Sequence, residues 1–188
     1  GASERTESVG YRLMLNMQEA GFSGGLYPIN NKREQILGLK AYPDLESVPD
    51  NLDLVVISTP APTVPNVMRQ CGAKGVTSVV IITAGFGELG EEGKRLQQEV
   101  LEIARRYNIR IIGPNCLGIA RPGSNLNATI GDGLIADGSL ALLSQSGAVC
   151  TAILDWAKSQ EIGFSTVVSM GGAADIDFGE VLDYLATD

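Results

Sequence analysis

The 188-residue sequence contains no histidine. These residues therefore cannot supply a histidine-ligated metal site, a Ser-His-Asp or Cys-His catalytic set, or a phosphohistidine. Aromatic residues make up only 5% of the chain, and 14 basic residues face 22 acidic ones, for a formal net charge of −8. An acidic chain without a run of lysine and arginine lacks the electrostatic footprint of nucleic-acid binding, so we expect no nucleic-acid partner.

Cysteines are few, and signals for export or membrane insertion are missing. Cys71, Cys116 and Cys150 are odd in number, far apart and outside any CxxC motif, which favours a reducing cytoplasm over a disulfide framework. The first ten residues have neither a basic region nor an apolar stretch of a secretion signal. The longest uncharged run, residues 138–154, is interrupted by a polar Ser-Gln-Ser-Gly turn, whereas a bilayer span needs ~20 apolar residues. We therefore expect a cytoplasmic protein without a membrane partner.

Apolar runs rich in β-branched residues alternate with helical patterns along the first two thirds of the chain. This alternation predicts an α/β fold, a Rossmann-like doubly wound parallel sheet. The chain opens directly before a helix, where such a domain has its first strand, so we expect that strand to be missing from the sequence. The predicted strands are residues 25–30, 52–59, 78–83 and 110–114, and the predicted helices are residues 8–20, 64–73 and 91–107.

A loop rich in Gly, Asn and Asp, residues 122–138, separates these elements from a second unit. We predict a first domain over residues 1–125, a linker over 126–138 and a second domain over 139–188. Two strand–helix units cannot close a domain alone, so we expect the second domain to be cut short. Its predicted elements are strands 139–144 and 164–170 and helices 148–160 and 177–188.

Ligands of open α/β sheets bind outside the carboxyl ends of the strands, so the residues after each strand are the candidates. Small residues 1–3 and Val9-Gly10 let backbone N–H groups approach a phosphate, although an ordinary tight turn has the same composition. Lys32 and Arg33 stand where a NAD site carries an acid; a base there suits the extra phosphate of NADP or coenzyme A (CoA). The alternative is a solvated pair of charges.

Five further loops carry small or polar residues. Three prolines within residues 60–65 either wall a pocket or begin a helix, and residues 83–87 are glycine-rich. Residues 113–118 combine Asn115 with Cys116, a thiol that without a histidine partner is better read as buried and structural than as a nucleophile. Residues 144–147 suit a phosphate or carboxylate, or simply cap a helix, and the acids of residues 171–177 are expected to cap the final helix.

The order of these motifs is more specific than any one of them. STPAP, GPNCLG and SQSG follow one another at the ends of successive strands. In this order they resemble the NDP-forming acyl-CoA synthetases. That family comprises ADP-forming acetate–CoA ligases, the α subunit of succinyl-CoA synthetase and the related front part of a class of protein lysine acetyltransferases. The resemblance covers essentially all 188 residues.

The resemblance implies a Rossmann-like CoA-binding domain followed by the start of a flavodoxin-like ligase domain. CoA would lie along the strand ends, with its pyrophosphate and pantetheine near Ser3, Val9 and Gly10 at the first helix. Its adenosine phosphate would lie near Lys32, and its thiol end near Asn115 and Cys116. The start of the helix after the SQSG turn would face a phosphorylated histidine during acyl-phosphate chemistry. The implied CoA contacts are Ser3, Val9, Gly10, Lys32, Thr59, Pro60, Ala61, Thr83, Ala84, Gly85, Asn115 and Cys116, and the implied phosphate contacts are Ser144, Gln145, Ser146 and Gly147.

The implied reaction converts an acid, CoA and ATP into acyl-CoA, ADP and phosphate. Since the chain has no histidine, the phosphohistidine would lie outside it, and we expect neither a catalytic residue nor a metal ligand within it. ATP or ADP and Mg²⁺ would bind an ATP-grasp domain or β subunit, and a small carboxylic acid and an oligomer are implied too. One alternative is a CoA-sensing regulatory region of a lysine acetyltransferase; another, resting on Lys32 and Arg33, is an NADP-binding domain.

Overall fold

The computed structural model describes residues 1–187. Its first part is built on a three-stranded parallel sheet of strands β3 (Val55–Ile57), β4 (Ser78–Ile81) and β5 (Arg110–Ile112), which follow one another in sequence order. Two helices connect these strands, which confirms the predicted α/β fold. In chain order the elements are α1 (Val9–Glu19), β1 (Gln35–Ile36), β2 (Leu39–Lys40), β3 (Val55–Ile57), α2 (Val64–Lys74), β4 (Ser78–Ile81), α3 (Glu91–Tyr107) and β5 (Arg110–Ile112).

Both faces of this sheet are covered. Side chains alternate across a strand, so neighbouring residues of β4 face opposite layers. Val79 and Ile81 pack into the larger core with buried residues of α2 and α3, whereas Val80 packs with Leu13 of α1 on the other face. Continuous apolar strands are what a sheet buried on two sides requires. The doubly wound arrangement is therefore confirmed.

The second part is a four-stranded mixed sheet of β6 (Gly118–Arg121), β7 (Leu126–Thr129), β8 (Asp137–Ser144) and β9 (Phe164–Ser169). The strands lie in the order β7-β6-β9-β8. Strands β8 and β9 are parallel, and β6 pairs antiparallel with both β7 and β9. Among the described residues, no helix is long and apolar enough to cross a membrane. The elements are β6 (Gly118–Arg121), β7 (Leu126–Thr129), β8 (Asp137–Ser144), α4 (Gly147–Ser159), β9 (Phe164–Ser169) and α5 (Phe178–Leu185).

Two local predictions differ from the structure. The expected strand 25–30 is reduced to a single bridge between Ile29 and Tyr42, in a segment where Pro28 has no N–H to donate. The predicted linker contains strand β7, whose polar Asn127 and Thr129 are buried and joined by a 2.8 Å hydrogen bond. The predicted domain boundaries and the strand expected before residue 1 stay predictions.

An ion-pair cluster joins the two parts. Arg110, at the start of β5, donates to Asp175 at 3.0 Å and to Glu180 at 2.7 Å. The same oxygen of Asp175 accepts the backbone N–H of Ile111 at 2.8 Å. Asp177 caps α5 through a reciprocal capping box with Glu180, which confirms for this residue the capping predicted for the acidic stretch. The other acid of the stretch, Asp175, does not cap the helix but joins the two parts through Arg110 and Ile111.

Removing the Asp175 carboxylate should destabilise the chain. Asp175→Ala leaves the partly buried Ile111 N–H without its acceptor and removes one of the two acceptors of the Arg110 guanidinium, which costs about 1–3 kcal/mol of unfolding free energy. Urea unfolding measures this. Asp183→Ala, which removes an exposed carboxylate of α5, is the matched control and should change stability little. Equal stability of the two variants would contradict the role given to Asp175.

Candidate functional site

The carboxyl ends of β3, β4 and β5 meet at one edge of the sheet, and hydrogen bonds join the loops that follow them. The hydroxyl of Thr83, after β4, donates to the carbonyl of Thr59, after β3, at 2.7 Å. The carbonyl of Thr83 accepts the backbone N–H of Asn115, after β5, at 3.0 Å. Thr83 therefore connects all three loops.

The loop after β3 turns directly into α2. Ala61–Thr63 form one turn of 3₁₀ helix, and Pro65 lies in the first turn of α2, which confirms the predicted helix-starting prolines. Ala61 also borders the neighbouring loop, since a Cβ added to Gly85 would lie 2.9 Å from the Ala61 Cβ. Pro60 and Ala84 are exposed beside this contact. Small residues thus form a close wall between the two loops.

Residues 1–3 continue this edge on its other side. The nitrogen of Gly1 donates to the Ser58 hydroxyl at 3.1 Å, and Ala2 donates its N–H to the Ile29 carbonyl at 3.2 Å. The Asn30 side chain returns a hydrogen bond to the Ala2 carbonyl at 2.9 Å. The first residues therefore run between the segment ending at Ile29 and the end of β3.

Helix α1 begins at this crossing. Gly10 is buried, and any Cβ on it would collide with the Gly1 carbonyl, so glycine is what lets the first residues cross the helix start. Ser8 caps the helix by accepting the Tyr11 N–H at 3.2 Å. The N–H groups of Val9 and Gly10, in the first turn, have no intrahelical partner and suit an anion. Ser3 stands in the same loop, where its hydroxyl accepts the Arg5 N–H.

The two basic residues after Ile29 differ in their surroundings. The Asn30 side-chain oxygen accepts the backbone N–H groups of Lys32 and Arg33, which shapes the turn. Arg33 forms a 3.1 Å ion pair with Glu4. Lys32 is exposed and forms no ion pair with any of residues 1–187. Lys32 is therefore the cation that this loop offers to a ligand.

At the far end of the edge, the neighbouring residues Asn115 and Cys116 differ in exposure. Asn115 is exposed, whereas Cys116 is buried and directs its thiol to the Ile81 carbonyl at 3.4 Å. Burial raises the pKa of the Cys116 thiol to about 12, so it stays protonated at neutral pH. This agrees with the structural role expected for Cys116 and not with a nucleophile. A ligand at this end meets Asn115 before the thiol.

The SQSG turn lies beside that end. Ser146 caps α4 by accepting the Val149 N–H at 3.3 Å, which confirms the capping alternative for this serine. Gln145 donates to the Gly171 carbonyl, and Ser144 to the carbonyl of Ser146. A Cβ added to Gly147, the first residue of α4, would lie 3.3 Å from the Leu117 Cβ. The start of α4 therefore adjoins the loop after β5.

Sequence reasoning missed Glu88, in the loop after β4. Its carboxylate accepts the N–H groups of Gly85 at 2.6 Å and Phe86 at 3.2 Å. Partial burial raises the pKa of Glu88, but hydrogen bonds from the N–H groups of Gly85, Glu88 itself and Phe86 outweigh it and hold the pKa below its ordinary value. The sequence shows only an acid near a helix start, so no signal marked this role.

The structure thus brings the loops that carry the predicted CoA contacts onto one continuous edge, with a cation at one end and an exposed amide beside a helix start at the other, while the predicted contact Cys116 is buried beneath that edge. Within residues 1–187, no group of three or more acidic or cysteine side chains is placed to hold a metal ion. An edge of this kind, at the carboxyl ends of the strands of a doubly wound sheet, is typical of the class of proteins that bind an extended nucleotide cofactor.

Comparison with known proteins narrows that class. The family model described as "CoA binding domain" matches residues 1–122, and the one described as "Succinyl-CoA ligase like flavodoxin domain" matches residues 137–188. The chain therefore belongs to the CoA-binding domain family. The resemblance to NDP-forming acyl-CoA synthetases is confirmed.

Similar proteins include ADP-forming ligases and a solved synthetase. The α subunit of ADP-forming acetate–CoA ligase I from Pyrococcus furiosus is 44% identical across the whole chain, which spans 42% of that relative. The ADP-forming acetate–CoA ligase of Methanocaldococcus jannaschii is 49% identical, and the chain spans 26% of it. Among solved structures, the apo form of dinucleotide-forming acetyl-coenzyme A synthetase 1 from Ca. Korarchaeum cryptofilum superposes with a TM-score of 0.96 at 38% identity, over the whole chain and 41% of that protein. The chain thus spans less than half of each of these proteins.

Substituting Gly113 should disturb the end of the edge that carries Asn115. Gly113 has φ of +98°, and a Cβ there would collide with the Ile81 carbonyl. Gly113→Ala should lower the unfolding free energy by at least about 1–2 kcal/mol, the cost of a left-handed conformation for a residue with a side chain. Gly131→Ala, where the nearest atom to the new Cβ lies at 3.7 Å, is the control and should not be destabilised. Two equally stable variants in thermal unfolding would contradict this account.

Proposed function

We propose that the chain is the CoA-binding portion of an ADP-forming acyl-CoA synthetase, an acid–thiol ligase. The reaction converts a small carboxylic acid, CoA and ATP into acyl-CoA, ADP and phosphate. The observation that carries the proposal is the continuous edge from Lys32 to Asn115, tied together through Thr83 and ending beside the start of α4. The names of the similar proteins agree with this function.

CoA fits this edge because its charges match the charges along it. The 3′-phosphate lies at exposed Lys32, and the pyrophosphate at the N–H groups of Val9 and Gly10, with Ser3 close by. The uncharged pantetheine passes the small-residue wall and reaches Asn115 and the backbone of Cys116 with its thiol. The wall residues assigned to pantetheine are Thr59, Pro60, Ala61, Thr83, Ala84 and Gly85.

The acyl-phosphate end of the reaction is assigned to the start of α4. The positive end of the helix dipole and the first N–H groups of α4 stabilise negative charge there. Ser144, Gln145, Ser146 and Gly147 form this turn, and its contact with Leu117 keeps it close to the thiol end of CoA. Phosphate passes through an acyl phosphate and a phosphohistidine, and that histidine comes from outside these residues, which contain none.

The remaining machinery is assigned to other parts of the complete protein. An ATP-grasp domain or β subunit binds ATP or ADP with Mg²⁺, and the ligase works as an oligomer. The relative from Pyrococcus furiosus is itself named as an α subunit, which supports a partner of this kind. A cytoplasmic location is part of the proposal, supported by three cysteines that are all buried and free.

Two alternatives carry less support. No relative or structure described above points to regulation of a lysine acetyltransferase. The hypothesis of an NADP-binding domain rests on Lys32 and Arg33, and Arg33 is already paired with Glu4. Titration with NADP distinguishes this hypothesis from CoA binding, because a true NADP site would bind NADP at concentrations similar to those at which CoA binds.

Lys32→Ala should weaken CoA binding roughly tenfold, the loss expected for one charge-assisted contact to phosphate. Dephospho-CoA lacks the 3′-phosphate, so its affinity should be the same for both proteins. Calorimetric titration measures both ligands. Lys94→Ala is the control, because Lys94 lies on α3 and pairs with Glu91. An equal loss for CoA and dephospho-CoA would place the 3′-phosphate elsewhere.

The complete protein should become phosphorylated on a histidine when incubated with ATP labelled in its γ-phosphate. The 188 residues alone should stay unlabelled, since they contain no histidine. Acid-labile labelling, lost when that histidine is replaced, is the expected result. A complete protein that keeps its histidine yet takes up no label would contradict the ligase mechanism.

A further inference from the structure

The Glu88 side chain accepts hydrogen bonds from backbone N–H groups of its own loop, the loop after β4. One carboxylate oxygen accepts the Gly85 N–H at 2.6 Å and the other accepts the Phe86 N–H at 3.2 Å. The next N–H, of Gly87, is taken by the side chain of Gln97 on α3 at 3.1 Å. Three consecutive donors of this loop are therefore bound by side chains of the protein itself.

The two residues that Glu88 holds are placed very differently. Phe86 is fully buried in the larger core and fixes the loop from below. Gly85 lies at the surface wall with φ of +110°, so close to Ala61 that a Cβ would come within 2.9 Å. Because the carboxylate binds both N–H groups, it sets the position of Gly85 relative to the buried Phe86 anchor. Glu88 thereby fixes the distance between the walls at Ala61 and Gly85.

The same contacts decide which part of a ligand this loop accepts. Three consecutive N–H groups, those of Gly85, Phe86 and Gly87, are taken by side-chain oxygens, and the Glu88 oxygens that bind two of them carry negative charge, so a phosphate finds neither these donors free nor positive charge here. The wall formed by Ala61, Ala84 and Gly85 offers an extended ligand small, uncharged groups. An uncharged segment suits such a wall.

We propose that Glu88 is a positioning residue for the pantetheine segment of CoA, holding the loop after β4 in the shape that this segment meets. The inference rests on the proposed function, because it takes CoA to be the ligand of this edge. Glu88 does not touch CoA; it acts through Gly85 and Phe86.

The test compares two ligands on the 188-residue chain. CoA carries pantetheine, whereas adenosine 3′,5′-bisphosphate carries only the adenosine end. Glu88→Ala should weaken CoA binding about tenfold, because the loop loses two charge-assisted hydrogen bonds. Adenosine 3′,5′-bisphosphate should bind within about twofold of its original affinity, because its site is remote from this loop.

Two further variants make the test specific. Glu88→Gln keeps an oxygen for one of the two N–H groups and should lie between the original protein and Glu88→Ala. Glu92→Ala removes an exposed carboxylate from the first turn of α3 and should bind both ligands normally. Thermal unfolding of each variant verifies that it is folded, and Glu88→Gln carries the comparison if Glu88→Ala does not fold.

Each outcome is decisive. A selective loss of CoA affinity, partly restored in Glu88→Gln, supports the positioning role. The positioning role is overturned if the folded Glu88 variants bind CoA as tightly as the original protein, or if they lose equal affinity for CoA and adenosine 3′,5′-bisphosphate. In both cases the original chain still binds CoA, and the proposed function stands. Failure of the unsubstituted chain to bind CoA overturns the proposed function and this inference with it.

Discussion

The candidate site depends on the hydrogen bonds of Thr83. Parallel pairing of β3, β4 and β5 in sequence order brings three loops to one edge, but pairing alone does not determine how those loops lie. The hydroxyl of Thr83 binds the loop before α2, and its carbonyl binds the loop after β5. A residue at the end of the central strand is the one position from which both neighbours can be reached. The edge is therefore continuous because its middle loop binds on both sides.

Burial on both faces of the sheet gives this edge a rigid base. Val79 and Ile81 face one core, and Val80 faces the other. Buried residues held from two sides move little, and residues at the ends of such strands keep their spacing. The ion pairs of Arg110 join the second part to β5, and the close contact of Gly147 with Leu117 places the start of α4 next to the loop after β5. A site that spans two packed units is in this way held to one geometry.

Much of the fold follows from patterns that are visible in the sequence. Continuous apolar runs predicted the buried strands, and the acidic start and basic end of residues 91–107 predicted α3, because both patterns report burial and helix dipole directly. Strand β7 was not predicted, because its buried residues Asn127 and Thr129 are polar and hydrogen-bonded to each other, so the segment has no apolar pattern. Segment 25–30 was predicted as a strand because local composition does not reveal whether a neighbouring strand is available.

The site was predictable in outline and not in its contacts. The predicted strand ends locate the loops. Only the structure shows that Lys32 is exposed, whereas Arg33 forms an ion pair with Glu4. Cys116 and Asn115 are adjacent in sequence yet face opposite environments. Glu88 reads as part of an acidic helix start, and its role arises from a chain reversal that brings it back onto Gly85.

The most direct test of the account is an NMR titration of the ¹⁵N-labelled chain with CoA. We expect chemical-shift changes in the edge loops, residues 1–3, 30–33, 58–61, 83–87 and 113–116. The resonances of the cavity of about 270 Å³ beneath α4, lined by residues such as Leu134 and Lys158, should stay unchanged. Changes confined to that cavity, or none anywhere at saturating CoA, would contradict the assignment of the carboxyl edge as the CoA site.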